Sequence, residues 1–141
     1  MAFKMRVLYY SKKGKMATLA DTICAKYGCK SDDIPPAYPC ENEKLVVLGL
    51  SIGKELPNDL GLFCRGFDKS RAKNVALYID GEKDMANTVK NMMREGGVNV
   101  YDEVFYVKGG LPFKFFKKIT DEEKNGILAW IDKIYTDVEK Q

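Results

Sequence analysis

The sequence predicts an α/β domain on a doubly wound, five-stranded parallel sheet of order 2-1-3-4-5, and three observations predict it. Strand-like and helix-like segments alternate five times along 141 residues, an order that places helices on both faces of a parallel sheet through right-handed crossovers. The runs KLVVLGL and NVALYI lack polar alternation, as strands covered on both faces do. No repeat, low-complexity tract or linker breaks the alternation, so residues 1–141 read as a single domain.

Met5 to Tyr10 reads as a buried first strand. Met16, Leu19, Ala20, Ile23, Cys24 and Tyr27 then recur at helical spacing and give one apolar face, with Gly28 as the stop. Cys29 to Asp33 is a candidate second strand, followed by a segment with Pro35, Pro36 and Pro39. Leu45 to Leu50 is the expected central strand, Pro57 and Asn58 open a helix toward Phe67, and Asn74 to Ile79 is the fourth strand. Asp80-Gly81 turns into a helix that ends at Gly96-Gly97, and Val98 to Val107 contains the fifth strand. Thr120-Asp-Glu-Glu123 is a capping box, in which the Thr120 hydroxyl accepts from the amide of Glu123 while the Glu123 side chain reaches back. The last helix follows, with Ile127, Ile131, Ile134 and Val138 at helical spacing.

Composition removes several classes of function. The net charge of +3 is too small an excess to argue for nucleic acid. No apolar run approaches the ~20 residues of a membrane helix, and the first strand follows Met-Ala-Phe-Lys-Met-Arg with no signal-like region, so the expected location is cytoplasmic. The chain has no histidine, which removes Ser-His and Cys-His catalysis and most transition-metal sites. Cys24, Cys29, Cys40 and Cys64 form no C-x-x-C pair and read as incidental free thiols. No catalytic side chain and no metal ligand set is assigned.

In a doubly wound sheet, ligands bind at the carboxyl ends of the strands where the winding reverses, here between the first and third strands. Three turns meet there: Ser11 to Met16, Leu50 to Leu56, and Ile79 to Lys83. The first runs directly from strand to helix and combines Ser11, Gly14 and the cations Lys12, Lys13 and Lys15. A helix N-terminus offers unpaired amides and about half a positive charge, and Gly14 lets the backbone approach an anion, so the turn suits a phosphate. The alternative is a tight turn with solvated lysines. There is no G-x-G-x-x-G, and Gly49-Leu-Ser-Ile-Gly53-Lys54-Glu55 departs from the P-loop in glycine spacing and in the place of Ser or Thr. The Tyr9-Tyr10-Ser11 strand end lacks the acidic cluster of a phospho-receiver domain.

Val7-Leu-Tyr-Tyr-Ser11-Lys-Lys-Gly14-Lys-Met16 resembles the first strand and phosphate loop of flavodoxins, with VVLGLSIGK at Val46 to Lys54 and NVALYIDG at Asn74 to Gly81 extending the resemblance over most of the chain. The resemblance is to the short flavodoxin-like proteins, and it implies non-covalent FMN. Against the family's Ser/Thr-x-Thr-Gly-x-Thr turn, Ser11 and Gly14 match while Lys13 and Met16 replace two hydroxyl residues. Those lost donors remove roughly 0.5–1.5 kcal/mol each if neutral, which a lysine can offset.

The same resemblance places Leu50, Ser51, Ile52, Gly53 and Lys54 over one face of the flavin ring, and Asp80, Gly81 and Glu82 against the other. Neither turn carries an aromatic residue, which implies a weaker or more exposed flavin than a ring stacked between aromatics. Lys54 would stabilise the negative charge of reduced flavin, or else face water. Between the fifth strand and the last helix, Phe113, Phe115 and Phe116 alternate with lysines, either anchoring a loop or meeting a partner. The implied function is electron transfer to a redox partner protein, or reduction of a small-molecule acceptor; the alternative is an interaction module that has lost flavin binding. The absence of a strong acidic charge sets the chain apart from shuttling flavodoxins.

Overall fold

A computed structural model describes residues 3–10, 14–107 and 119–141. The elements run β1 (Met5–Tyr10), α1 (Gly14–Tyr27), β2 (Lys30–Asp33), β3 (Glu43–Ser51), α2 (Asn58–Arg65), β4 (Ala72–Asp80), α3 (Lys83–Glu95), β5 (Asn99–Val100), β6 (Phe105–Tyr106) and α4 (Asp121–Glu139). The strands pair in parallel in the order β2-β1-β3-β4-β5, with β6 also on β4.

Every apolar strand in the middle of this sheet feeds two cores, because successive side chains leave on opposite faces. Val7, Leu45, Val47, Ala76 and Tyr78 pack with α1 and α4, while Leu8, Val46, Leu48, Val75 and Leu77 pack with α2 and α3. That double covering is why β3 and β4 read as unbroken apolar runs. The edge strand β2, KSDD, has only one neighbour and is polar accordingly.

The expected fifth strand is two short pieces. Asn99 pairs with Asn74, an offset of 25, whereas Phe105 pairs with Tyr78, an offset of 27, so two extra residues lie between them. The surplus is held by tertiary contacts: Lys90 Nζ donates to the Asp102 carbonyl at 2.7 Å, and Trp130 Nε1 donates to the Glu103 carbonyl at 2.9 Å.

Helix α1 ends as its sequence predicts. Gly28 takes φ +68 and donates its N–H to the Cys24 carbonyl at 2.8 Å. At the start of α4 the Thr120 hydroxyl accepts from the Glu123 amide at 3.1 Å. A cap of this kind contributes ~1 kcal/mol. Burying Ile127, Trp130, Ile131, Ile134 and Val138 contributes about 10 kcal/mol gross, so packing holds α4 and the cap only sets where it begins.

At the amino end of the sheet, buried Asn74 donates through Nδ2 to the Lys44 carbonyl at 3.0 Å and to Gln141 Oε1 at 2.9 Å, while its own oxygen accepts from Asn99 and Gln141. A fully covered amide is tolerable there because its donors and acceptor are matched.

Candidate functional site

Parallel pairing brings the carboxyl ends of β1, β3 and β4 side by side: Tyr10 lies opposite Leu50, Leu50 opposite Ile79, and Ser51 opposite Asp80. The three turns singled out from sequence therefore leave one edge of the sheet together. Ser11, Lys12 and Lys13 of the first turn lie outside the described residues.

Gly14 opens α1, and the two residues after it are engaged within the protein. Lys15 is buried, with Nζ 2.8 Å from Glu123 Oε2 in the first turn of α4. The ion pair occupies the Glu123 carboxylate that the capping box would send back to Thr120. Met16 is 2% exposed and belongs to the core between α1 and α4. The sequence places both positions in the phosphate turn; the Met16 side chain instead follows the apolar periodicity of α1. The backbone at Met16 is anchored from below, since the Tyr78 hydroxyl donates to its carbonyl at 3.0 Å.

Tyr78 reaches α1 from β4 by crossing β3 at Gly49, the residue between Tyr9 and Tyr78 in the ladder. A Cβ at Gly49 would lie 2.0 Å from Cζ of that ring. Burial keeps the Tyr78 phenol far above its ordinary pKa, so it remains a neutral donor. Tyr9, on the same face, is pushed up to about 12 by its hydrogen bond to Asp33 and then by burial.

The second and third turns are fastened to each other. Ile52 sends its side chain into the core and its N–H to the Asp80 carbonyl at 3.0 Å. Gly81 lies so close that a Cβ there would sit 2.2 Å from the Ile52 carbonyl oxygen. Leu50 and Ile52 thus face inward, and Ser51 and Asp80 are half-buried at the rim. Gly53, Lys54, Gly81 and Glu82 are exposed, and a Cβ at Gly53 would meet, among the described residues other than its chain neighbours, no atom within 4 Å.

Aromatic groups do border this edge, but from the strand ends and not from the turns. Tyr10 donates to Asp59 Oδ1 at 2.8 Å, tying β1 to the first turn of α2, and its pKa is raised by burial and by that carboxylate. Tyr106, 42% exposed, ends β6 beyond Ile79. Their register signal was present in sequence, since each is the last aromatic of its strand, but which rim they border depends on pairing.

These features define a doubly wound α/β protein in which the winding reverses at β1 and β3, the place where sheets of this class commonly bind ligands at the carboxyl ends of their strands. No family model matches the chain, and no curated protein matches it. Among solved structures it is similar to a short-chain flavodoxin associated with a bacterial microcompartment, at 10% identity over 90% of this chain and 97% of that one, with a TM-score of 0.57. It is also similar to a protein of Bacteroides eggerthii that carries a provisional flavoprotein name, at 17% identity over 94% of this chain and 98% of that one, with a TM-score of 0.63. The chain has the flavodoxin-like fold. No helix among the described residues is long and apolar enough to cross a membrane.

Proposed function

We propose that the chain binds FMN non-covalently at the carboxyl edge of β1, β3 and β4 and acts as a redox protein, passing electrons to a partner protein or a small-molecule acceptor in the cytoplasm. The observation that carries this is the pairing of a fixed wall with an open place: Gly81 is packed backbone to backbone on Ile52, and beside them a Cβ on Gly53 would have, among the described residues other than its chain neighbours, no atom within 4 Å. A flat ring needs such an approach of bare backbone. The fold, shared with a flavodoxin, supports the same reading.

Ser11, Lys12, Lys13 and the amides at the start of α1 would hold the phosphate, since Lys15 is paired with Glu123 and Met16 is in the core. Ser51, Gly53 and Lys54 would border one side of the ring, and Asp80, Gly81 and Glu82 the other. Bound FMN supplies the electron-carrying chemistry, and the chain supplies position and charge. Helix α1 offers its N-terminal amides with no acidic residue of its own in the first turn to oppose an anion.

Titrating the purified protein with FMN, followed by visible absorbance and flavin fluorescence, tests the proposal. Saturable binding in the micromolar range or tighter is the expected result. No spectral change would leave the fold as an interaction module, a reading that the inward-turned Lys15 and Met16 favour. With flavin bound, Lys54→Met is expected to lower the midpoint potential by on the order of tens of millivolts, because an exposed cation near reduced flavin is lost. An unchanged potential would place Lys54 away from the ring.

A further inference from the structure

The opposite edge of the sheet carries a pair of thiols that the flavin chemistry does not use. Cys24 lies in the last turns of α1, Gly28 reverses the chain at φ +68, and Cys29 directly precedes β2. The two Sγ atoms are 3.0 Å apart, about 1 Å beyond the ~2.05 Å of a covalent S–S bond. Both thiols are free. Cys24 is 9% exposed and Cys29 is half-buried, so the pair has one sheltered and one accessible member. Cys40 and Cys64 are buried in the core on the other face of the sheet.

We propose that Cys24 and Cys29 are a reversible dithiol–disulfide pair that exchanges with small-molecule disulfides of the glutathione class. The turn explains why these two meet without a C-x-x-C spacing: a left-handed glycine and its bond to the Cys24 carbonyl fold four intervening residues back on the helix end. Cys29 is the attacking sulfur. It is the accessible member of the pair, and its contact with Cys24 lowers its pKa, while the same contact and burial raise that of Cys24.

The exchange balances in two steps. The Cys29 thiolate attacks one sulfur of glutathione disulfide, the S–S bond of that reagent breaks, and one glutathione thiolate leaves. Cys24 then gives its proton to solvent and attacks the Cys29 sulfur of the mixed disulfide, and the second glutathione thiolate leaves. Two protein thiols are oxidised by two electrons, one glutathione disulfide becomes two glutathione thiols, and the two protons lost by the protein protonate them.

Incubating the native full chain with glutathione disulfide, alkylating in denaturant and weighing the product tests this. Tryptic cleavage after Lys26 separates Cys24 from Cys29, so the bond appears as a linked pair of peptides. The expected result is alkylation at Cys40 and Cys64 only, a Cys24–Cys29 link, and full reversal by reduced glutathione. In brief native alkylation Cys29 should react at least ~10-fold faster than Cys40 or Cys64. Cys24→Ser should stop at one glutathione on Cys29, and Cys29→Ser should keep its three thiols. Four alkylated cysteines after treatment, a link through Cys40 or Cys64, or stable glutathione on the wild type would overturn the proposal. Mapping of the wild type decides even where a variant fails to fold, and none of these readouts depends on flavin.

Discussion

Gly49→Ala is expected to destabilise the protein by about 2–5 kcal/mol, one of the largest effects available to a single methyl in this chain. The new Cβ would lie 2.0 Å from Cζ, 2.3 Å from Cε2 and 2.3 Å from the hydroxyl oxygen of Tyr78. That ring has no accessible surface, packs edge-on to Trp130 at 6.4 Å and ends in a hydrogen bond to the Met16 carbonyl. Overpacking a core costs roughly 1–3 kcal/mol, and a displaced ring also leaves a buried hydroxyl and carbonyl unpaired at ~1–3 kcal/mol. Urea unfolding measures the loss. Tyr78→Leu alone should also destabilise, but adding Gly49→Ala to it should cost much less than in the wild type, giving a coupling energy of at least ~1 kcal/mol. Full stability of the single Gly49→Ala protein would mean that the ring does not cross β3 where the structure has it.

That crossing marks the limit of what was legible beforehand. The run KLVVLGL announces a buried strand, and a glycine inside it signals a close approach, but the approaching group comes from β4 and becomes visible only once strands are paired. Helices α1 and α4 and strands β1, β3 and β4 were readable because burial imposes a period on the sequence itself. Strand β5 lies within the expected Val98 to Val107, but its division from β6 is not legible, because Val98, Val100, Val104 and Val107 look like one strand while the two surplus residues are accommodated by Lys90 and Trp130 from other elements.

The candidate site divides along the same line. The carboxyl edge and its three turns follow from element order alone. The pairing of Lys15 with Glu123 does not, since the partners are 108 positions apart and each looks solvated locally. Met16 satisfied two patterns at once, the apolar face of α1 and a place in the phosphate turn, and the core holds it. The Cys24–Cys29 contact escaped a spacing rule because a left-handed glycine, not a helical turn, closes it.

Gly81→Ala is expected to lower stability by roughly 2–3 kcal/mol and FMN affinity by about tenfold or more, and a comparison with Gly53→Ala separates the causes. The Cβ at 81 would be 2.2 Å from the Ile52 oxygen and 3.3 Å from its carbonyl carbon, so the obstruction is backbone and has no rotamer to escape into. The two turns must part by about an ångström, straining the Ile52 N–H to Asp80 bond that aligns them. Gly53 presents the reverse case. Its Cβ would meet nothing among the described residues beyond its chain neighbours, and its φ is not in the left-handed region, so alanine there should leave unfolding within ±0.5 kcal/mol or raise stability slightly. A methyl at 53 nevertheless occupies the space proposed for the ring, and FMN binding should weaken although the fold is untouched. Urea unfolding and flavin titration of the two variants therefore give different patterns, loss of both at 81 and loss of binding alone at 53. If Gly53→Ala bound FMN as tightly as the wild type, the open place beside Ile52 would not be where the ring lies.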